Sequence, residues 1–194
     1  MKGMNNMTRE DMKSYLLPEL DLLQREENKE KVLDIWMDAV TQTGWQTKGL
    51  EHSLISTVMK NGCPENLMAH TRHVAAACAA LYDAMGPMFD AVGKCDREDL
   101  LAGALIHDVG KLMEMDYVDG KAVYTRYGTL FTHPVSGAYL AQKYGMNQTV
   151  VHMVLVHSNT LSPQGEKAAQ TPESLLLKYI DEMCYKYVEL YWHV

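Results

Sequence analysis

Apolar residues recur three and four places apart along most of the chain, and the segments so defined read as helices. The first pattern fills residues 8–43, where Thr8 and Asp11 make a capping box. Pro18 divides a short first helix from a second that runs through Val32, Ile35, Trp36, Ala39 and Val40, until Gly44 and then Gly49 end it. Leu50 to Lys60 reads as one more helix, closed by Asn61-Gly62. An alanine-rich helix follows from Asn66 to Met85, stopped by Gly86-Pro87. Asp96 caps a further helix through DREDLLAGALIHDV, which Gly110 terminates.

The periodicity changes over residues 114–131. Tyr117, Val118, Val123, Tyr124 and Tyr127 flank Asp119-Gly120, a pair suited to tight turns, so a loop or small β-hairpin is expected. Helices resume at Pro134–Tyr144, Gln148–His157 and Pro172–Tyr191, the last opened by a Thr171-Pro172 cap. The expected architecture is an all-α bundle with one irregular insertion near 114–131. Residues 1–49 form an N-terminal helical extension, read as a packing or dimerisation element, and 50–194 the main domain.

Composition narrows the class. At 194 residues with 47% apolar and 22% charged, the chain can bury a core without staples. Its charge of 18 − 25 = −7 gives no general attraction to nucleic acid or an anionic membrane. The N-terminus lacks a secretory apolar core, and Cys63, Cys78, Cys95 and Cys184 lie far apart, which fits a reducing cytoplasm. Fourteen methionines read as core filler.

Candidate chemistry centres on His107-Asp108, which follows the apolar run LLAGALI. A carboxylate buried beside an imidazole without a partner costs several kcal/mol, about the range a divalent ion removes. Lys111, one turn on, is placed to meet an anionic substrate. Further ligand-type residues follow a similar interval: His70 lies 37 residues before His107, His133 26 after it, His157 a further 24 and Asp181 a further 24. Inward polar residues on separate helices are how bundles build metal sites. Six ligands exceed one tetrahedral ion and suit two ions about 3.5–4 Å apart, bridged by Asp108.

The segments HTRHVAAA, LIHDVGK, FTHPVSGAYLA, VLVHS and LLLKYIDEM together resemble the HD superfamily of metal-dependent phosphohydrolases, over roughly residues 66–190. That resemblance implies an HD-domain helical bundle. Its H-x-x-x-V pattern is matched by His70 with Val74, which singles out His70 rather than His73 as a ligand. His107 and Asp108 match the doublet that names the family, and Asp181 its closing aspartate. His133 and His157 match the extra histidines of the bimetallic branches, and HPVSGAYLAQ is most similar to bacterial enzymes that cleave diadenosine tetraphosphate. Ser158 follows His157 where cyclic-dinucleotide phosphodiesterases carry a second histidine, so that substrate is disfavoured.

The resemblance implies two divalent ions (Fe, Mn or Zn) and a small phosphorylated, nucleotide-like substrate. Neither nucleic acid nor membrane is an expected partner; a homodimer is compatible. Asp108 and Lys111 are the expected catalytic residues. The alternative is a di-iron oxygenase on the same scaffold, since histidine and carboxylate bind iron and zinc alike. A binding module would be expected to lack ligands, and all six are present. Arg126 reads as a surface arginine before a phosphate ligand, His52 as exposed, His152 as structural, His193 as tail, and His73, one turn from His70, as an ordinary histidine before a support for His70.

Overall fold

The computed structural model describes residues 6–57, 63–92, 94–119, 121–158 and 169–192. Helix α1 (Arg9–Leu16) starts at the expected capping box, Thr8 and Asp11 each bonding the other's backbone. A 3₁₀ turn, Glu19–Leu22, separates it from α2 (Glu26–Thr43), whose Val32, Ile35, Trp36, Ala39 and Val40 form one buried stripe. A short α3 (Trp45–Lys48) follows Gly44.

The helix expected over Leu50–Lys60 does not form as such. Only Leu50–His52 makes a 3₁₀ turn; the chain then extends, and Leu54 bridges Asn66. The Leu50–Leu54 spacing looks helical, yet Leu50 is buried from the 3₁₀ turn and Leu54 from the extended stretch after it, with the Ser53 hydroxyl donating to the Leu50 carbonyl. Residues 58–62, including Asn61-Gly62, lie outside the described part.

Helix α4 (Leu67–Val92) runs through Gly86-Pro87 rather than stopping there. Pro87 is exposed, so the carbonyl it frees can face water, and beyond it Phe89 is buried against Tyr82, with ring centres 5.5 Å apart. That packing holds the last turn.

Helix α5 (Arg97–Ile106), capped by Asp96, is the centre of the molecule, with Leu100 to Ile106 all buried. It ends one residue before His107, and His107–Gly110 form a turn into α6 (Lys111–Glu114). Gly110 therefore marks a close approach and not a helix stop: a Cβ there would lie 2.1 Å from the His133 carbonyl oxygen.

The 114–131 insertion contains the expected hairpin, β1 (Met115–Val118) antiparallel to β2 (Lys121–Tyr124), Met115 facing Tyr124. Helices α7 (His133–Lys143), α8 (Gln148–Val156, capped by Asn147) and α9 (Pro172–Tyr191, capped by Thr171) complete the bundle. The fold is the all-α bundle expected. Helices α4, α8 and α9 all pack on α5, and α7 packs on α8. The N-terminal helices close the other side, where the Trp36 indole donates to the Leu105 carbonyl at 2.9 Å. No described helix is long and apolar enough to cross a membrane.

Candidate metal centre

Five elements deliver six side chains to one buried place. His70 comes from the first turn of α4, His107 and Asp108 from the turn after α5, and His133 from the first position of α7. His157 directly follows α8, and Asp181 lies midway along α9. His70, His107 and Asp108 are fully buried, His157 almost so. Four imidazoles form a chain of neighbours around the carboxylates, with ring centres 5.1–5.4 Å apart.

The two oxygens of Asp108 face different partners. Oδ2 lies 3.4 Å from Nε2 of both His70 and His107. Oδ1 lies 3.5 Å from His133 Nε2 and 3.4 Å from His157 Nε2. Asp181 Oδ1 joins the first group, 2.9 Å from His70 Nε2 and 3.6 Å from His107 Nε2. Two sets of donors therefore share one carboxylate: His70, His107, Asp108, Asp181, and Asp108, His133, His157. Donors bound at about 2.0–2.2 Å on tetrahedral or octahedral axes stand roughly 2.9–3.6 Å from each other, so these spacings fit divalent ions.

The tautomers are set for ligation. His107 Nδ1 and His157 Nδ1 each donate at 2.7 Å to a backbone carbonyl three residues back, that of Ala104 and of Val154. His133 Nδ1 is held at 2.6 Å by the carboxylate of buried Glu114. Each contact turns Nε2 toward the shared carboxylate. His107 Nε2, His157 Nε2 and Asp108 Oδ1 have no hydrogen-bond partner among the described residues. Buried polar atoms are rarely left so, and metal coordination is the chemistry that satisfies all three.

The site is electrostatically tight. Burial disfavours charge on His107, but Asp108 and Asp181 outweigh it and push its pKa up to about 10. Burial likewise opposes charge on Asp108 and Asp181, yet Lys111 and His107 hold Asp108 well below the usual range, and His107 and His70 do so for Asp181. Lys111 is held above its ordinary value, burial being overcome by Asp108 and Asp181. His133 moves down, chiefly through burial and Lys111, against the pull of Glu114.

A cavity of about 440 Å³ opens over the cluster. Its walls include Lys111, Glu114, His133, His157 and Asp181, with Met115 and Tyr124 from the hairpin and Glu182, Tyr185 and Lys186 from α9. Upstream of the centre, the described residues that line this cavity are Ile55 and Ser56, which follow the N-terminal helices. Lys111 pairs with Asp108 Oδ2 at 2.6 Å while facing the cavity.

The other candidates fall outside the cluster. Exposed Arg126 is 3.5 Å from the Thr129 hydroxyl, half-exposed His52 stacks on Tyr117, and His152 accepts from the Gln170 amide. His73, more than half exposed, bonds Glu65 at 2.9 Å, and Glu65 stands 3.8 Å from His70 Nδ1, beyond hydrogen-bond reach. His193 lies outside the described residues. Sequence reasoning missed Glu114 and Glu65. Neither sits at a telling interval, and a lone glutamate three places past Lys111 reads as an exposed charge.

Fold and site together define an all-helical protein with a buried histidine–aspartate centre suited to divalent metal. The HD domain pattern matches residues 67–185, and the chain belongs to the HD domain family. Among curated proteins it is similar to ribonuclease Y of Oleidesulfovibrio alaskensis, 27% identical over 57% of this chain and 18% of that one. Ribonuclease Y of Pseudothermotoga lettingae is 24% identical over 82% of this chain and 26% of its own length. The chain thus spans about a fifth to a quarter of these relatives. No solved structure matches it significantly.

Proposed function

We propose that this chain is a metal-dependent phosphohydrolase that holds two divalent ions and cleaves a phosphate ester or anhydride of a small, nucleotide-like substrate. The observation that carries the reading is Asp108, whose two oxygens face two separate histidine sets. On this reading His70, His107, Asp108 and Asp181 hold one ion, and Asp108, His133 and His157 the other; iron, manganese and zinc all suit such donors. Two such ions supply Lewis acidity toward a phosphoryl oxygen and make water acidic enough to attack at neutral pH.

The chain's own residues do the rest. Asp108 orients the attacking water, and the Lys111 ammonium at the cavity floor faces a non-bridging phosphoryl oxygen. Tyr124 and Tyr185 in the cavity walls offer ring faces to a base, and Lys186 adds a cation. A dinucleotide polyphosphate is the leading substrate class, because HPVSGAYLAQ resembles enzymes of that type. The relatives named ribonuclease Y support a second reading, in which the phosphodiester belongs to RNA. The charge of −7 favours the small substrate over a long polyanion. The same relatives favour phosphoryl chemistry over oxygenation, since a ribonuclease cleaves a phosphodiester.

Metal analysis of chain purified under nitrogen, coupled to a screen of dinucleotide polyphosphates, nucleotides and short RNA, tests the reading. We expect two ions per chain, with His107→Ala and Asp108→Ala losing both metal and turnover. A metal-stripped double variant that still hydrolysed the substrate would overturn it. Oxygen-dependent optical changes on substrate addition would return the di-iron oxygenase, and preferential cleavage of RNA would replace the small substrate.

A further inference from the structure

Helix α9 has two unlike long faces. One carries Asp181 with buried Leu177 and Ile180 into the core, and its flank of Glu182, Tyr185 and Lys186 reaches the cavity. The other carries Leu175, Tyr179, Met183 and Tyr187 at steps of four, extended by Leu190 and Tyr191, and these six are 43–70% exposed. The surface face of a helix is ordinarily polar. Here a continuous apolar stripe runs for about 24 Å, and the Tyr187 and Tyr191 rings touch, with centres 5.0 Å apart.

The area decides what covers it. With about 150–250 Å² per large side chain, the stripe offers on the order of 600–700 Å². That exceeds the roughly 300–600 Å² of the largest patch on a typical monomer and approaches the ~800 Å² per partner of a standard interface. Charge narrows the occupant. Lys186, at the edge of the stripe, is tied to Glu189 at 2.6 Å, which leaves the contact itself uncharged. An acidic chain is also a poor match for anionic lipid or nucleic acid.

We infer that the outer face of α9 is a dimer interface whose occupant is α9 of a second copy of this chain. A two-fold contact uses the same patch on both partners, and two antiparallel α9 helices would place opposite dipole ends together. Tyr179, Met183 and Tyr187 form the middle of the contact. Because Asp181 and Tyr185 project from the other sides of this helix, the dimer would clamp the element that supplies a carboxylate and a wall to the centre.

Sedimentation equilibrium of the full chain from micromolar to hundred-micromolar concentration tests this. The expected result is a dimer whose dissociation constant rises roughly a hundredfold in Met183→Glu and Tyr187→Glu, with helicity and metal content unchanged. Met183→Gln serves as a milder second variant, expected to weaken the dimer less. A wild-type chain that stays monomeric across the range overturns the inference, as does a Met183→Glu/Tyr187→Glu double variant that remains dimeric. A monomer that floats with neutral phosphatidylcholine vesicles overturns it in favour of a lipid surface.

Discussion

At the scale of single residues, Glu114 stands behind the centre and not in it. Its carboxylate holds His133 Nδ1 at 2.6 Å inside the protein, and that bond aims Nε2 at Asp108. Partners of this kind are worth about 10–100-fold in metal affinity. Glu114→Gln should therefore weaken the ion shared by Asp108, His133 and His157 by that factor while sparing the other, as stepwise metal titration would read out; equal loss of both would refute the assignment. His107 supplies the pH dependence. Its metal-free pKa is raised above the unfolded value to about 10, so the stability it contributes is complete below the unfolded pKa and is lost as pH rises through about 10. Metal must displace that proton. Calorimetry in buffers of different ionisation enthalpy should show roughly one proton released per chain at neutral pH, with affinity rising up to about tenfold per pH unit toward pH 10.

At the scale of elements, the centre depends on how closely two turns approach. Gly110 lies against the first turn of α7, and Gly128 lies against the Glu114 carbonyl, where a Cβ would sit 2.0 Å from the oxygen. These contacts hold the His107–Gly110 turn and the hairpin against the histidines they support. Gly110→Ala would push α7 away, at a cost of about 1–3 kcal/mol, and His133 would move with it. The expected outcome is a lower melting temperature together with weaker metal binding, and an unchanged metal titration would show that α7 is not positioned this way. The signals for these elements differ in reach. Thr8, Asp96 and Thr171 act within three residues, so these caps were legible in the sequence. Pro87 was misleading because Phe89, buried against Tyr82, outweighs the break.

At the scale of the whole molecule, the N-terminal helices are proposed to belong to the same folding unit as the centre. Trp36 and Trp45 donate to the carbonyls of Leu105 and Leu112, and the Gln24 and Arg25 amides donate to Glu98 at the start of α5. Removing residues 1–49 would strand those acceptors and uncover α5. The truncated chain is expected to lose cooperative thermal unfolding, and a sharp melt near that of the full chain would show two separable units. Metal removal acts on the same global equilibrium. An ion present at about a hundred times its dissociation constant adds about 2.7 kcal/mol, which for a domain of this size is roughly 5–10 °C. Chelation should lower the melting temperature by that amount, and an unchanged melt would mean the cluster binds no structural ion.

Sequence by itself determined most of the helices, though not the path after Leu50 or the end of α4, together with the hairpin near Asp119 and the residue types able to bind metal. Periodicity, caps and turn chemistry act over a few residues, and that range is enough for them. His107-Asp108 was legible because a carboxylate beside an imidazole in an apolar run needs a partner. Only the tertiary structure decided that five separate elements bring six donors together, that the two oxygens of Asp108 look in opposite directions, and that Glu114 stands behind His133. It also decided which face of α9 is left outward. Those facts depend on how helices pack across distances of tens of residues, where the same local pattern is compatible with many arrangements and only the shared core selects one.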